Sequence, residues 1–142
     1  MIQQLIFAAL SIIGFSVLFN IPKNAIYKTA LSGALGWITY VYFSNQLGQS
    51  TVMSSFVAAA VVALLSEFFA RRFKEAVTVF VIPGILPLVP GSGMYYTMLA
   101  IIKKDFNRAA LISSETMFIA GSIAAAIFIV SSVTRLFFVK KI

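Results

Sequence analysis

Residues 76–102 form an apolar run long enough to cross a bilayer, and its middle reads Pro83-Gly84-Ile85-Leu86-Pro87-Leu88-Val89-Pro90-Gly91-Ser92-Gly93. Three prolines and three glycines within eleven residues are incompatible with an uninterrupted helix. Each proline removes a backbone donor and crowds the preceding turn, at roughly 3 kcal/mol in a helix interior. In hydrocarbon an unpaired amide or carbonyl costs several kcal/mol, so such backbone is tolerated only inside protein or beside a wet cavity. The segment therefore predicts two half-helices, near 76–82 and 92–102, meeting at an interior site. Its amide end, near Gly91, Ser92 and Gly93, suits an anionic group through free N–H donors and the helix dipole. Tyr95, Tyr96 and Thr97 follow and add hydroxyls. Broken helices of this kind mark substrate sites in secondary transporters. Pro83, Gly84, Pro87, Pro90, Gly91, Ser92, Gly93, Tyr95 and Tyr96 are the expected substrate-binding set. The alternative is a kink that only shapes packing.

The rest of the chain asks for the same solvent. Of 142 residues, 61% are hydrophobic and 11% charged, whereas a soluble domain carries about a quarter of its residues as charge. A spanning helix needs about 20 mainly apolar residues, and polar breaks divide the chain into spans near 2–20, 25–47, 51–70, 76–102 (the broken one) and 109–134. Ile21-Pro22-Lys23-Asn24 ends the first span, where Pro22 cannot continue a helix and Asn24 is placed to cap the second. The expected fold is an all-α membrane protein of about five transmembrane helices, the fourth discontinuous, in a single transmembrane domain over 1–142. The first run, preceded by no basic segment and followed by no small-x-small site, reads as a retained span.

Cytoplasmic loops retain Lys and Arg. Lys23, Lys28, Arg71, Arg72 and Lys74 flank the first and third connections, which sets the N-terminus outside. With five simple spans Arg135, Lys140 and Lys141 join them, and eight of the eleven basic residues are cytoplasmic. If the fourth stretch dips in and returns, the loop carrying Lys103, Lys104 and Arg108 replaces the tail, and the tally is unchanged. The net charge of +7 thus reads as juxtamembrane cations and not as a nucleic-acid stripe. With no Cys and no His, thiolate chemistry, imidazole bases and the commonest metal sets are absent, and neither an enzyme nor a cofactor or metal is expected.

Four acids remain. Glu115, about two turns inside the fifth span, is either a carrier of a proton coupled to transport or an interfacial acid near the 103–108 cations. Lys28, one turn into the second span, either holds a substrate carboxylate or snorkels to the interface. Glu67 and Arg71, four apart, form a structural ion pair at the cytoplasmic end. Ser32-x-x-x-Gly36 and Gly121-x-x-x-Ala125 place small residues on one helix face and suit close packing, including subunit packing.

The run Ile82 to Tyr96, with its Pro-Gly-x-x-Pro-Leu-Val-Pro-Gly signature, together with Gly14-Phe15-Ser16-Val17-Leu18-Phe19-Asn20-Ile21-Pro22, resembles the threonine/serine exporter family, specifically its small-subunit half. The similarity extends over essentially the whole chain. It implies a five-helix unit in the bacterial cytoplasmic (inner) membrane that pairs with a larger homologous membrane subunit, and export of threonine and serine, or of a dicarboxylate such as succinate. The expected function is a subunit of a secondary transporter for small carboxylated metabolites, coupled to protons, with its C-terminus cytoplasmic. The alternative is a non-conducting assembly or stabilising subunit whose partner contains the whole pathway.

Overall fold

The structure, a computed structural model, describes residues 2–139, with side chains through Leu136. Lys140 and Lys141, counted in the charge tally, lie outside the described residues. The described chain is all-helical, without strands: α1 (Ile2–Leu18), α2 (Lys23–Val41) extended by a π-helical turn (Tyr42–Gln46), α3 (Thr51–Phe73), α4 (Val77–Ile85) followed by a 3₁₀ turn (Leu86–Leu88), α5 (Gly91–Ile102) and α6 (Phe106–Val139).

Local chemistry explains the boundaries. Three helices end on a residue in the left-handed region, Asn20 (φ 56°), Lys74 (φ 57°) and Lys104 (φ 59°). After each, the next amide reaches back five residues: Ile21 to Ser16, Glu75 to Ala70 and Asp105 to Ala100, at 2.9–3.0 Å. This is the Schellman closure, which satisfies carbonyls that the helix leaves open. Ser50 caps α3 by accepting the Met53 N–H at 3.3 Å, and Asp105 caps α6 by accepting the Arg108 N–H at 3.1 Å. Asn24 does not cap α2. That helix begins one residue earlier, at Lys23, with Pro22 in the cap position and no side-chain bond. The preset φ of proline starts the turn, and Asn24 is already inside it.

The broken stretch departs from expectation in one respect. Pro83 and Gly84 do not end the first half-helix; they lie within α4, which runs to Ile85 and tightens into the 3₁₀ turn carrying Pro87 at its start. Pro87, with no amide to bond back into α4, stands where the α-helix gives way to the tighter turn. The break falls at Val89 (φ −63°, ψ 128°) and Pro90 (φ −76°, ψ 59°). Crowding by the Pro90 ring drives Val89 out of the helical region. Pro90 then makes an inverse γ-turn, closed by the Gly91 N–H on the Val89 carbonyl at 2.8 Å. The two arms are bent by 54°.

Helix α2 is the centre of the packing, against α1, α3 and α4. Its small residues make that possible. A Cβ on Gly33 would stand 2.6 Å from the Gly84 carbonyl oxygen and 2.9 Å from its Cα, and one on Gly36 would meet the Val62 side chain. The Ser32/Gly36 face is thus consumed within the chain, where backbones approach closely. Gly121 meets nothing within 4 Å, and Gly121 and Ala125 are both exposed. A second core joins Ala58, Ala59 and Val62 of α3 to Leu88 and to Ile119, Ile123 and Ala126 of α6. Ile127, Ser131 and Arg135 near the end of α6 share a cleft with Glu67 and Arg71 of α3 and with Val77 and Thr78 of α4. Helices α3 and α6 therefore run in the same direction, and α4 starts where both end.

Two helices, α3 and α6, are individually long and apolar enough to cross a membrane, and the bent α4–α5 pair makes a third candidate. Helix α1 is apolar but has 17 residues. Large apolar side chains cover the exposed surface, among them Phe7, Leu10, Phe68, Leu111, Phe118 and Phe128. This surface suits lipid, and the chain is a membrane protein.

Candidate functional site

The break between α4 and α5 has two unlike sides. On the α4 side Pro83, Gly84 and Leu88 are buried, and Gly84 rests on Gly33 and Ser32 of α2. On the α5 side Gly91, Ser92, Tyr95 and Tyr96 are exposed. Among the first amides of α5, those of Gly91 and Met94 bond to the carbonyls of Val89 and Pro90, at 2.8 and 3.2 Å. No acceptor among the described residues meets the amides of Ser92 and Gly93. They are orphan donors of a helix start, close to the middle of the bent pair.

Tertiary packing decides which neighbours face this point. Gly93 and Thr97, one turn apart, face α6: a Cβ on Gly93 would run into Thr116, and Thr97 Oγ1 donates to the Gly93 carbonyl at 2.8 Å. Tyr95 and Tyr96 occupy the other face, their rings edge-on at 5.4 Å. Pro90, Met94 and Thr97 also wall an apolar cleft of about 370 Å³ against Thr116 and Met117. The predicted set is therefore split, with Pro83 and Gly84 buried in the bundle, Pro87 and Pro90 partly buried, and Gly91, Ser92 and the two tyrosines exposed.

Lys28 lies on α2 five residues before Gly33, and its ammonium faces Tyr27 and Phe73. It is 6% exposed, with Nζ 3.2 Å from the centroid of the Phe73 ring and 5.1 Å from that of Tyr27. No carboxylate among the described residues lies within ion-pair distance. The aromatic face takes the place of a counter-ion, an interaction worth about 0.5–2 kcal/mol. Glu115 is exposed on α6, and no described cation pairs with it.

The Glu67–Arg71 pair is present, Arg71 donating from Nη2 to Glu67 Oε2 at 3.1 Å. The partners are unequally placed: the Arg71 side chain is 35% exposed and that of Glu67 is 7%. Arg71→Met, which strands a buried carboxylate, should therefore cost about 1–3 kcal/mol. Glu67→Gln, which keeps a hydrogen-bonding oxygen beside a guanidinium that is 35% exposed, should cost less. Thermal unfolding of the two variants in detergent checks the order; an equal or reversed effect would show that the buried carboxylate is not the costlier partner to strand.

Sequence reasoning treated that pair as an isolated structural contact. The structure surrounds it with Glu75, Thr78, Ser131 and Arg135, around a cleft of about 350 Å³ between α3, α4 and α6. These residues come from α4, α6 and the α3–α4 connection, and no local spacing announces them. The one signal was Arg135, a charge just beyond the predicted last span.

A family model described as Threonine/Serine exporter, ThrE, matches residues 4–133. An uncharacterized protein of Haemophilus influenzae is 28% identical over 131 residues, covering 87% of this chain and 44% of that protein. The chain thus spans less than half the length of this curated relative. No solved structure matches it.

Proposed function

The chain belongs to the threonine/serine exporter family, and from that footing we propose that it is the small-subunit half of a secondary transporter exporting small carboxylated metabolites across the bacterial cytoplasmic membrane. The observation that carries this reading is the break at Val89 and Pro90, where the Ser92 and Gly93 amides open without a partner. A carboxylate is the natural complement of two such donors at a helix start. The buried α4 side of the break supplies rigidity, and the open α5 side, with Tyr95 and Tyr96, awaits a second wall. A larger homologous subunit supplies that wall; the relative's length, more than twice the matched part, supports a companion half.

Five spans suit this assignment. Counted with its π-helical turn, α2 covers 23–46, and a bend of 54° is far from a full reversal, so α4–α5 reads as one crossing. The N-terminus is then outside and α6 ends in the cytoplasm, beside the basic end of α3. Glu115, exposed on α6, is the candidate proton carrier, and Lys28 an internal cation near the cytoplasmic end. Substrates are threonine and serine or a dicarboxylate such as succinate.

The exposure of Gly91, Ser92, Tyr95 and Tyr96 also supports the second reading, an assembly subunit that presents this face to a partner containing the whole pathway. Flux in vesicles separates the two. Pro87→Ala and Glu115→Gln, each in an assembled complex, should lower substrate efflux several-fold if this chain forms the pathway. Unchanged flux in both would leave only the assembly role.

A further inference from the structure

Near its end α3 carries Glu67 and Arg71, to which the α3–α4 connection adds Glu75, α4 adds Thr78 and α6 adds Ser131 and Arg135, around a cleft of about 350 Å³. The cleft lies where α3 and α6 end and α4 begins. The break lies at the other end of α4. Glu67 is 5% exposed, unusual for an acid in an apolar bundle, where a buried charge is a mark of function as often as of structure. Both signs of charge line the cleft, together with the hydroxyl-bearing residues Thr78 and Ser131.

We propose that this cleft is a ligand site for a small zwitterion, separate from the break, where a solute waits at the cytoplasmic end of the bundle. The inference rests on the transporter reading for the reason a solute is there, but not for the chemistry of the site. The Arg135 guanidinium, from α6, takes a carboxylate in the two-pronged geometry that guanidinium favours. Glu75, half-buried at the start of the α3–α4 connection, takes an ammonium. Thr78 and Ser131 offer hydroxyls to either group. A dicarboxylate fits less well, since its second anionic group would face Glu67 or Glu75, and like charges at close range disfavour each other. The Glu67–Arg71 pair forms one wall and holds the two signs apart.

The test is calorimetric titration of L-threonine and of succinate into the full chain in lipid nanodiscs, beside threonine efflux from cells. Arg135→Gln and Glu75→Gln should each weaken L-threonine binding by about tenfold or more. Arg72→Gln makes the same charge change at the same end but lies on the neighbouring cleft with Leu64 and Phe68, and should leave binding unchanged. Gly91→Leu, at the break, should remove any binding that the break contributes and keep the component that Arg135→Gln and Glu75→Gln weaken, while efflux falls. The proposal is overturned if the wild-type chain does not bind L-threonine saturably, if the three charge variants weaken it alike, or if Arg135→Gln weakens succinate binding more than that of threonine. Loss of efflux in Gly91→Leu with normal binding in Arg135→Gln and Glu75→Gln removes the cleft and leaves the transporter reading. Intact efflux in Gly91→Leu with weakened binding in the cleft variants does the reverse.

Discussion

Gly33→Ala is expected to disrupt the bundle more than any other single-methyl change in the chain. The new Cβ would lie 2.5 Å from Ile12 Cδ1, 2.6 Å from the Gly84 carbonyl oxygen and 2.9 Å from its Cα. The isoleucine can rotate away. The Gly84 backbone cannot, because it is part of α4 directly after Pro83 and is held against α2 and Val62. Relief requires the two helices to separate along their crossing, at a cost of about 1–3 kcal/mol or more. Gly36→Ala should cost less, since the obstacle there is the Val62 side chain. Gly121→Ala, in open space, should be neutral or gain about 0.5–1 kcal/mol from helix propensity. Thermal unfolding in one detergent ranks the three. A Gly33→Ala protein as stable as the Gly121→Ala protein would show that the α2–α4 contact is looser than described.

Gly91→Leu is expected to abolish transport while leaving the fold intact. A Cβ at this position meets nothing within 4 Å, and Gly91 is exposed and does not occupy the left-handed region, so a side chain can start there without a Cβ clash or left-handed strain. What it does introduce is an isobutyl group at the first position of α5, next to the free amides of Ser92 and Gly93. A carboxylate that needs those donors is excluded, and efflux should fall by about a hundredfold, the scale of losing two charge-assisted hydrogen bonds. Efflux assays on assembled protein, with the melting temperature as control, measure this. Wild-type flux in a normally folded Gly91→Leu protein would remove the break from the pathway.

The helical class was legible in the sequence, because a bilayer imposes one hydrogen-bonding rule on whatever crosses it; the connections were not placed to the residue, since Arg71, Arg72 and Phe73 belong to α3 and Phe106 to Arg108 to α6. The place of the break was legible only to within a few residues. Pro83, Pro87 and Pro90 look alike in a string, yet Pro83 is absorbed inside α4, Pro87 opens a 3₁₀ turn, and only Pro90, through its effect on Val89, stops the helix. Neighbouring helices decide this: Gly84 must lie flat against Gly33, which keeps the chain helical past Pro83.

The small-residue motifs divide in the same way. Ser32 and Gly36 could be recognised as a close-packing face, but not assigned to a contact inside the chain, nor could Gly121 and Ala125 be recognised as left open. A glycine records that something approaches its backbone, not what approaches.

What the amino-acid order determined alone was the solvent, the helical content, the family signature and the presence of a break, all properties of a segment with itself or with lipid. What only the tertiary structure decided was which side of the break is buried, that Lys28 rests on Phe73, and that Glu67, Arg71, Glu75 and Arg135 surround one cleft. Those residues lie up to sixty-eight positions apart in the chain. Their meeting depends on α3 and α6 running in the same direction, which follows from packing between helices and leaves no local mark in the sequence.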